Sequence, residues 1–504
     1  MKSSVNVGAF LAKRALLSPN KLAVVCENVR LTFREANARA NQLAAAMRSI
    51  GIKQGDRVGV MALNEPEFVD IFFGLGKIGA IMVPVNFRLA GPEVQYILEN
   101  AEAKILIFSK EFQDTIDGYR NILSPEKYIV IADDSPDWAD SYKEFVSGHS
   151  TDEPEIVGCD NDTLAILYTS GTTGKPKGAQ LTHESMFWVA VTMSGTLGEV
   201  GDKGLITLPL FHIGALAFFP LSVHSGKTMV LMRSFDPQLF LENLGKEKIS
   251  FIGIVPVMLM FIRAIPDYDK YDWSSLKLML VYASPVPVSL IKEYFDAGIE
   301  VRQLYGMTEV SGPATVIDSE NALKKAGSCG LPFFHTDIRI IDDNGNDVPP
   351  NVNGEIIMKS PNNMKGYWKR PEADKETIKD GWIYSGDIAK MDEDGFIYIM
   401  DRKKDMIISG GENIYPAEIE DVLLTHPKIA DASVIGYPHE KWQEAVKAII
   451  TIKPNEKLTE EELVEWCQGK LGRFKIPKKV VFTDNIPRTP TGKVLKRILR
   501  EMYN

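Results

Sequence analysis

The sequence predicts an α/β protein: a large N-terminal domain of α/β layers with a small β-barrel-like subdomain, then a small α+β C-terminal domain. Three observations lead there. β-rich runs and helical patterns alternate from Arg57 onward and again after residue 161, which is the signature of layered α/β architecture. Between about residues 327 and 400 the pattern changes to short β runs broken by Asn344-Gly345, Asn353-Gly354 and Asp394-Gly395, turn pairs that suit hairpins in a small barrel or sheet. After Asp401-Arg402-Lys403-Lys404-Asp405 a fresh alternation begins, so the domains are expected at 1–403 and 404–504.

Taken in order, Val58 and Val60 mark a strand, Pro66 a first helical position, and residues 81–85 a second strand. Pro92 opens another helix before a strand at 105–108. Residues 164–168 form a strand, and Thr182 caps the helix that follows. In the small domain, helices are expected from Pro416, from Glu460 and after Lys493, with strands near Ser433, at 448–452 and at 480–482.

Composition narrows the class. The chain is 45% hydrophobic and 25% charged, an ordinary globular balance. Its formal charge of −10 makes nucleic acid and anionic lipid poor default partners. The four cysteines (Cys26, Cys159, Cys329, Cys467) lie far apart without a CxxC pair, which fits a reducing compartment. The N-terminus lacks the pattern of a secretory signal. The most apolar run, residues 251–262, is interrupted by Pro256 and falls short of the roughly 20 residues needed to span a bilayer. A cytoplasmic location and no integral membrane segment are therefore expected, with homodimerisation left open.

The strongest local signal is Tyr168-Thr169-Ser170-Gly171-Thr172-Thr173-Gly174-Lys175-Pro176-Lys177-Gly178, a strand running into glycine, hydroxyl and lysine residues. Such a loop offers N–H groups, hydroxyls and ammonium groups to phosphate oxygens, and its glycines permit close approach. It is not a Walker A loop, because Pro176 follows the Gly174-Lys175 pair where Ser or Thr is required. Residues 470–500 add ten basic side chains against one acid, Asp484, so this tail is a candidate to face a polyphosphate.

With this loop, the chain resembles the acyl-adenylate-forming superfamily, in its acyl-CoA synthetase or fatty-acid:CoA ligase branch. The resemblance runs from about Pro19 to Arg500. It rests on the loop at 168–178, on Gln303-Leu304-Tyr305-Gly306-Met307-Thr308-Glu309, on Tyr384-Ser385-Gly386-Asp387, on Asp401-Arg402-Lys403-Lys404-Asp405 and on Pro487-Arg488-Thr489-Pro490-Thr491-Gly492-Lys493. It implies ATP, Mg²⁺ and coenzyme A as cofactors and a small carboxylic acid as the remaining partner.

The resemblance also implies roles. Lys493, Thr172, Glu309 and His212 would be catalytic, with Lys493 neutralising charge between carboxylate and α-phosphate and Glu309 holding Mg²⁺. ATP and AMP would be bound by Thr169, Ser170, Gly171, Thr172, Thr173, Gly174, Lys177, Ala283, Ser284, Pro285, Gln303, Tyr305, Gly306, Met307, Thr308, Asp387, Arg402 and Lys493. Asp387 would accept from the ribose hydroxyls, as an acceptor-only carboxylate can. The stretch Val281-Tyr282-Ala283 departs from the glycine-rich form common there. Ser409, Gly410, Gly411 and Glu412 would face coenzyme A once the small domain pivots at the hinge Lys404.

The acyl pocket is expected at Phe211, His212, Gly214, Val255 and Gly306. His212 stands where amino-acid-activating relatives place an Asp, and Leu216 where some long-chain relatives carry a tryptophan gate. The expectation is an ATP-dependent acid:CoA ligase acting on a medium- or long-chain fatty acid. Alternatives are an alicyclic or aryl acid, a stand-alone enzyme loading a carrier protein, and an inactive nucleotide-binding module. With no carrier segment after residue 504, free coenzyme A is the expected acceptor.

Overall fold

The helix Pro66–Ile78 is buried on every side, with only Glu67 reaching the boundary, because it lies between two largely parallel sheets. One sheet has seven strands in the order Asp140–Ser141, Lys127–Ile131, Ala103–Ser109, Arg57–Met61, Ile81–Pro84, Thr163–Thr169, Lys177–Thr182. The other has nine, ordered Leu331–Pro332, Gly312–Val316, Arg302–Met307, Leu278–Val281, Phe251–Ile254, Lys203–Ile206, Thr228–Leu231, Leu22–Cys26, Val29–Thr32. The computed structural model describes residues 4–503 except 170–175, 285, 404, 410, 411, 441, 469, 474, 490 and 491, and the backbone alone at 412, 413 and 443.

Strands such as Leu278–Val281 and Phe251–Ile254 are buried at every position, as strands covered on both faces must be. Phe68, Phe72 and Phe73 of the central helix pack around Phe219 of the helix Phe218–Ser225, tying the two layers together. The strand Leu22–Cys26 joins the nine-stranded sheet beside Thr228–Leu231, with Val24 opposite Met229. No local pattern announces that pairing.

The expected helix starts hold. Pro66 and Pro416 open their helices, and Gly91–Ala101 begins one residue before Pro92. Thr182 caps His183–Leu197 by accepting from the Ser185 N–H, and Thr459 does the same for Glu460–Cys467 through Glu462. The β-rich middle section forms an antiparallel five-stranded sheet, Asp337–Ile341, Gly354–Lys359, Trp382–Met391 and Ile378–Lys379, with Ile397–Arg402 along Trp382–Met391. It is an open half-barrel.

Past residue 406 a second five-stranded sheet, Glu412–Ile414, Ile407–Ser409, Gln443–Ile452, Ile429–His439 and Lys479–Phe482, carries its own apolar core of residues 407–480. The terminal helix Lys496–Tyr503 seats Leu499 against Ile435 and Ile449. The fold is thus a large N-terminal α/β domain, a half-barrel sheet and a small C-terminal domain.

Candidate active site

Asp387 is the best-anchored polar group of the site. It sits on the half-barrel strand Trp382–Met391, paired in register with Arg402 on Ile397–Arg402. Its Oδ2 accepts from the Tyr305 hydroxyl at 2.7 Å, its Oδ1 meets Arg402 Nε at 2.7 Å, and its N–H donates to Ser385 Oγ at 2.9 Å. Burial, then the Asp387 carboxylate, pushes the Tyr305 phenol well above its ordinary range, so it stays a donor. Burial works against the Arg402 guanidinium, but Asp387, Tyr305 and Glu309 outweigh it and raise its pKa. Each carboxylate oxygen of Asp387 keeps a lone pair for a further donor.

Glu309 lies at the end of the strand Arg302–Met307, in the single turn Thr308–Val310, and is buried. Its Oε1 accepts from the Tyr367 hydroxyl at 2.7 Å, and its carbonyl accepts from the Met364 N–H at 2.8 Å. Among the described residues Oε2 has no hydrogen-bond partner. Gly306 is required by close approach: a Cβ there would overlap the Gly312 carbonyl oxygen. Gln303 is spent on structure, its Nε2 donating to the Ser328 carbonyl at 2.8 Å.

The strands that flank the glycine-rich loop contact the segment that follows Glu309's partner Met364. They pair Thr169 with Lys177 and Tyr168 with Gly178. Lys177 Nζ stands 5.2 Å from the Tyr367 ring centroid, and the Trp368 N–H donates to the Gly178 carbonyl at 2.7 Å. Tyr367 therefore joins the strand Lys177–Thr182 to Glu309. Sequence reasoning missed it; the aromatic pair Tyr367-Trp368 after Gly366 was the available signal. Ser170, Gly171, Thr172, Thr173 and Gly174 lie outside the described residues, as do Pro285, Lys404, Gly410, Gly411 and the Glu412 side chain.

The expected acyl residues gather around the short helix Ile213–Leu216. The Phe211 ring is 4.4 Å from His212 and 5.1 Å, edge-on, from Phe87. Among the described residues His212 Nε2 is buried without a partner, and burial, assisted by Arg88, holds the imidazole down at about 4. Val255 is fully buried just before the helix Pro256–Arg263. Ala283 adopts φ +77° at the end of the next strand.

The terminal loop reaches this region. A Cβ added at Gly492, whose φ is +81°, would stand 2.8 Å from Val257 Cγ1. The loop is braced by Arg488, which pairs with Asp431 and donates to the Gly492 carbonyl at 2.6 Å, and Lys493 N–H donates to Thr489 Oγ1 at 3.1 Å. At the junction of the two domains Asp401 Oδ2 accepts from the Ala417 N–H at 3.1 Å, Lys496 meets Glu420 at 3.0 Å, and Arg500 meets Asp405 at 2.9 Å. Ser409 is buried and its backbone pairs with Glu412 and Gln443 inside the small domain.

Comparison with known proteins settles the family. A family description for AMP-binding enzymes matches residues 11–368, and one for the C-terminal domain of AMP-binding enzymes matches residues 418–493. The chain belongs to the AMP-binding enzyme family. It is 40% identical to the long-chain-fatty-acid–CoA ligase FadD13 of Mycobacterium tuberculosis over 504 residues, 99% of each chain. It is 38% identical to a feruloyl-CoA synthase of Amycolatopsis over 503 residues, again 99% of each. The o-succinylbenzoate CoA synthetase of Bacillus subtilis, solved with its acyl-adenylate intermediate, superposes with a TM-score of 0.88 at 32% identity, covering 98% of each chain. The same enzyme solved with ATP and a magnesium ion gives 0.87 at 32%, covering 97% of this chain and 98% of that one. In this AMP-binding enzyme, Asp387, Arg402 and Lys404 fall between the two matched segments.

Proposed function

We propose that this AMP-binding enzyme is an ATP-dependent acid:CoA ligase that activates a carboxylic acid as acyl-AMP and passes the acyl group to coenzyme A. The observation that carries the reading is the Tyr305–Asp387–Arg402 cluster in the same molecule as a terminal lysine loop seated on Val257. Relatives named for fatty, feruloyl and succinylbenzoate substrates support the reaction class and leave the acid open.

In the first half-reaction a carboxylate oxygen bonds to the α-phosphorus of ATP. The bond from that phosphorus to its bridging oxygen breaks, and pyrophosphate leaves with the electron pair. One anion approaches another, so fixed cations and donors should supply most of the acceleration. Asp387 would take the ribose hydroxyls, with Tyr305 and Arg402 fixing its orientation. Lys493 would neutralise charge beside the α-phosphate, and the 169–177 loop would cradle the outer phosphates. His212, held neutral by burial, would position the acid.

Glu309 fits a magnesium ion bound with the nucleotide. It presents one hard oxygen, Oε2, and no group of three metal-binding side chains competes for an ion among the described residues. When bound, the ion neutralises phosphate charge; Tyr367 holds the carboxylate in place for it.

In the second half-reaction the coenzyme A sulfur bonds to the acyl carbon, AMP leaves with its phosphate oxygen, and the thiol proton passes to solvent. Lys493 beside the acyl carbon would obstruct the thiol. A pivot at Lys404 that withdraws the loop and presents the Ser409–Glu412 turn answers that conflict, and the boundary at 403/404 follows from it. Four unpaired thiols support a cytoplasmic location. The test is pyrophosphate release across a panel of acids with ATP, magnesium and coenzyme A, with the thioester detected by mass. ATP binding without pyrophosphate from any acid would return the protein to a non-catalytic nucleotide binder.

A further inference from the structure

Tyr282 stands at the carboxyl end of the strand Leu278–Val281, where ligands of open α/β sheets collect. Its side chain runs back toward the core, and two glycines on two other elements make room for it. A Cβ at Gly214, on the helix Ile213–Leu216, would lie 2.7 Å from Tyr282 Cε2. A Cβ at Gly253, on the strand Phe251–Ile254, would overlap the Tyr282 hydroxyl and lie 2.9 Å from Phe218 Cε2. The hydroxyl donates to the Gly214 carbonyl at 2.7 Å, which locks the ring across the gap. Phe218, stacked on Phe251 at 5.8 Å, backs it from the core side.

Both elements that the ring bridges carry the expected acyl residues. His212 and Gly214 belong to one, and Val255 follows directly on the other. Tyr282 is buried in the core cluster, so its ring fills the space between these two elements from the core side.

We propose that Tyr282 closes the inner end of the acyl channel, so that the acid accepted here is compact, a short aliphatic chain or a single ring, rather than a long chain. The proposal rests on the acid:CoA ligase reading and chooses among the acids that reading leaves open. A long acyl chain threading between Ile213–Leu216 and Phe251–Ile254 would have to displace a ring held by a buried hydrogen bond. Removing that ring would leave an apolar slot lined by Gly214, Gly253 and Phe218. A slot of that kind binds methylenes, each worth about 1–3 kcal/mol in discrimination.

The test is kcat/KM for acetate, butyrate, hexanoate, benzoate, dodecanoate and palmitate, read as pyrophosphate release and thioester formation with the full chain. Wild-type protein should favour its best compact acid over dodecanoate by at least about 100-fold. Tyr282→Gly should shift the ratio of dodecanoate to that acid by at least about 100-fold toward the long chain. Tyr282→Phe, which keeps the ring and loses the hydrogen bond, should retain the compact preference. Tyr282→Leu serves if the glycine variant fails to fold, and the wild-type ratio decides if both fail. Wild-type preference for dodecanoate or palmitate, or an unchanged ratio in a folded Tyr282→Gly, would overturn the proposal while leaving the ligase reading intact. Silence of the wild type with every acid would instead remove the ligase reading, and this inference with it.

Discussion

Gly492 rests on Val257: the terminal loop that carries Lys493 touches the first turn of the helix Pro256–Arg263, two residues from the buried Val255. The small domain is thus posed with its lysine loop against the helix Pro256–Arg263. Under the proposed mechanism that pose would serve formation of the acyl-adenylate. It also makes the loop contact a lever that can be tested.

Gly492→Ala places a methyl 2.8 Å from Val257 Cγ1 in a residue with φ +81°, a conformation that costs an L-residue about 1–2 kcal/mol. ATP–pyrophosphate exchange should fall about tenfold or more, while thioester formation from supplied acyl-AMP is preserved. Adding Val257→Ala should recover part of the loss; no recovery would show that the contact does not hold the loop.

Lys493→Ala should lower the rate of adenylation by about 100-fold, the scale of losing one charge-stabilising donor. Thioester formation from supplied acyl-AMP should survive. Equal loss in both half-reactions would defeat the two-pose account.

Lys404→Pro should do the reverse. A fixed φ at the hinge restricts rotation without touching the nucleotide, so adenylation should persist and thiolation should fall. Unchanged thioester synthesis in single-turnover assays would remove Lys404 from that role.

Tyr305→Phe removes one of two side-chain anchors of Asp387. A hydrogen bond to a charged group is worth about 1.5–3 kcal/mol, so kcat/KM for ATP should drop about tenfold or more, with KM for the acid little changed. A loss confined to the acid would place the cluster elsewhere.

Two buried histidines give the protein a pH-dependent stability. His183 Nδ1 accepts from the Val7 N–H at 3.0 Å, and burial holds both His183 and His212 down at about 4, from 6.5. Between those values the unfolded chain binds more protons than the folded one. Their contribution to stability is therefore full above pH 6.5 and falls as pH drops toward 4, by up to about 3 kcal/mol for each histidine, while the carboxyls of the buried Asp70 and of Asp421, both raised to about 6, act in the opposite sense over the same range. Denaturant unfolding at pH 7.5, 6 and 5 should show His183→Gln losing less stability, or gaining more, than the wild type as pH falls. The same pH dependence in His183→Gln as in the wild type would contradict the burial of that ring.

Much of the fold was legible because its signals are local. Pro66, Thr182 and Pro416 mark helix starts through backbone chemistry confined to one turn. Asn344-Gly345 and Asp394-Gly395 mark turns for the same reason. The strand Leu22–Cys26 escaped notice because its partner Thr228–Leu231 lies some two hundred positions onward. Tyr367 escaped because an aromatic residue in a loop has no period to betray it.

From the sequence alone, the motifs and their order resemble the acyl-adenylate-forming superfamily, and that resemblance implied the reaction class and the acids and lysines to watch. Only the tertiary structure decided which of them act together. Asp387 meets Tyr305 because an antiparallel strand of the half-barrel faces the end of the nine-stranded sheet, and the Tyr282 ring spans two other elements because Gly214 and Gly253 leave space for it. Contacts of that kind depend on packing between segments far apart in the chain, which no run of neighbouring residues encodes.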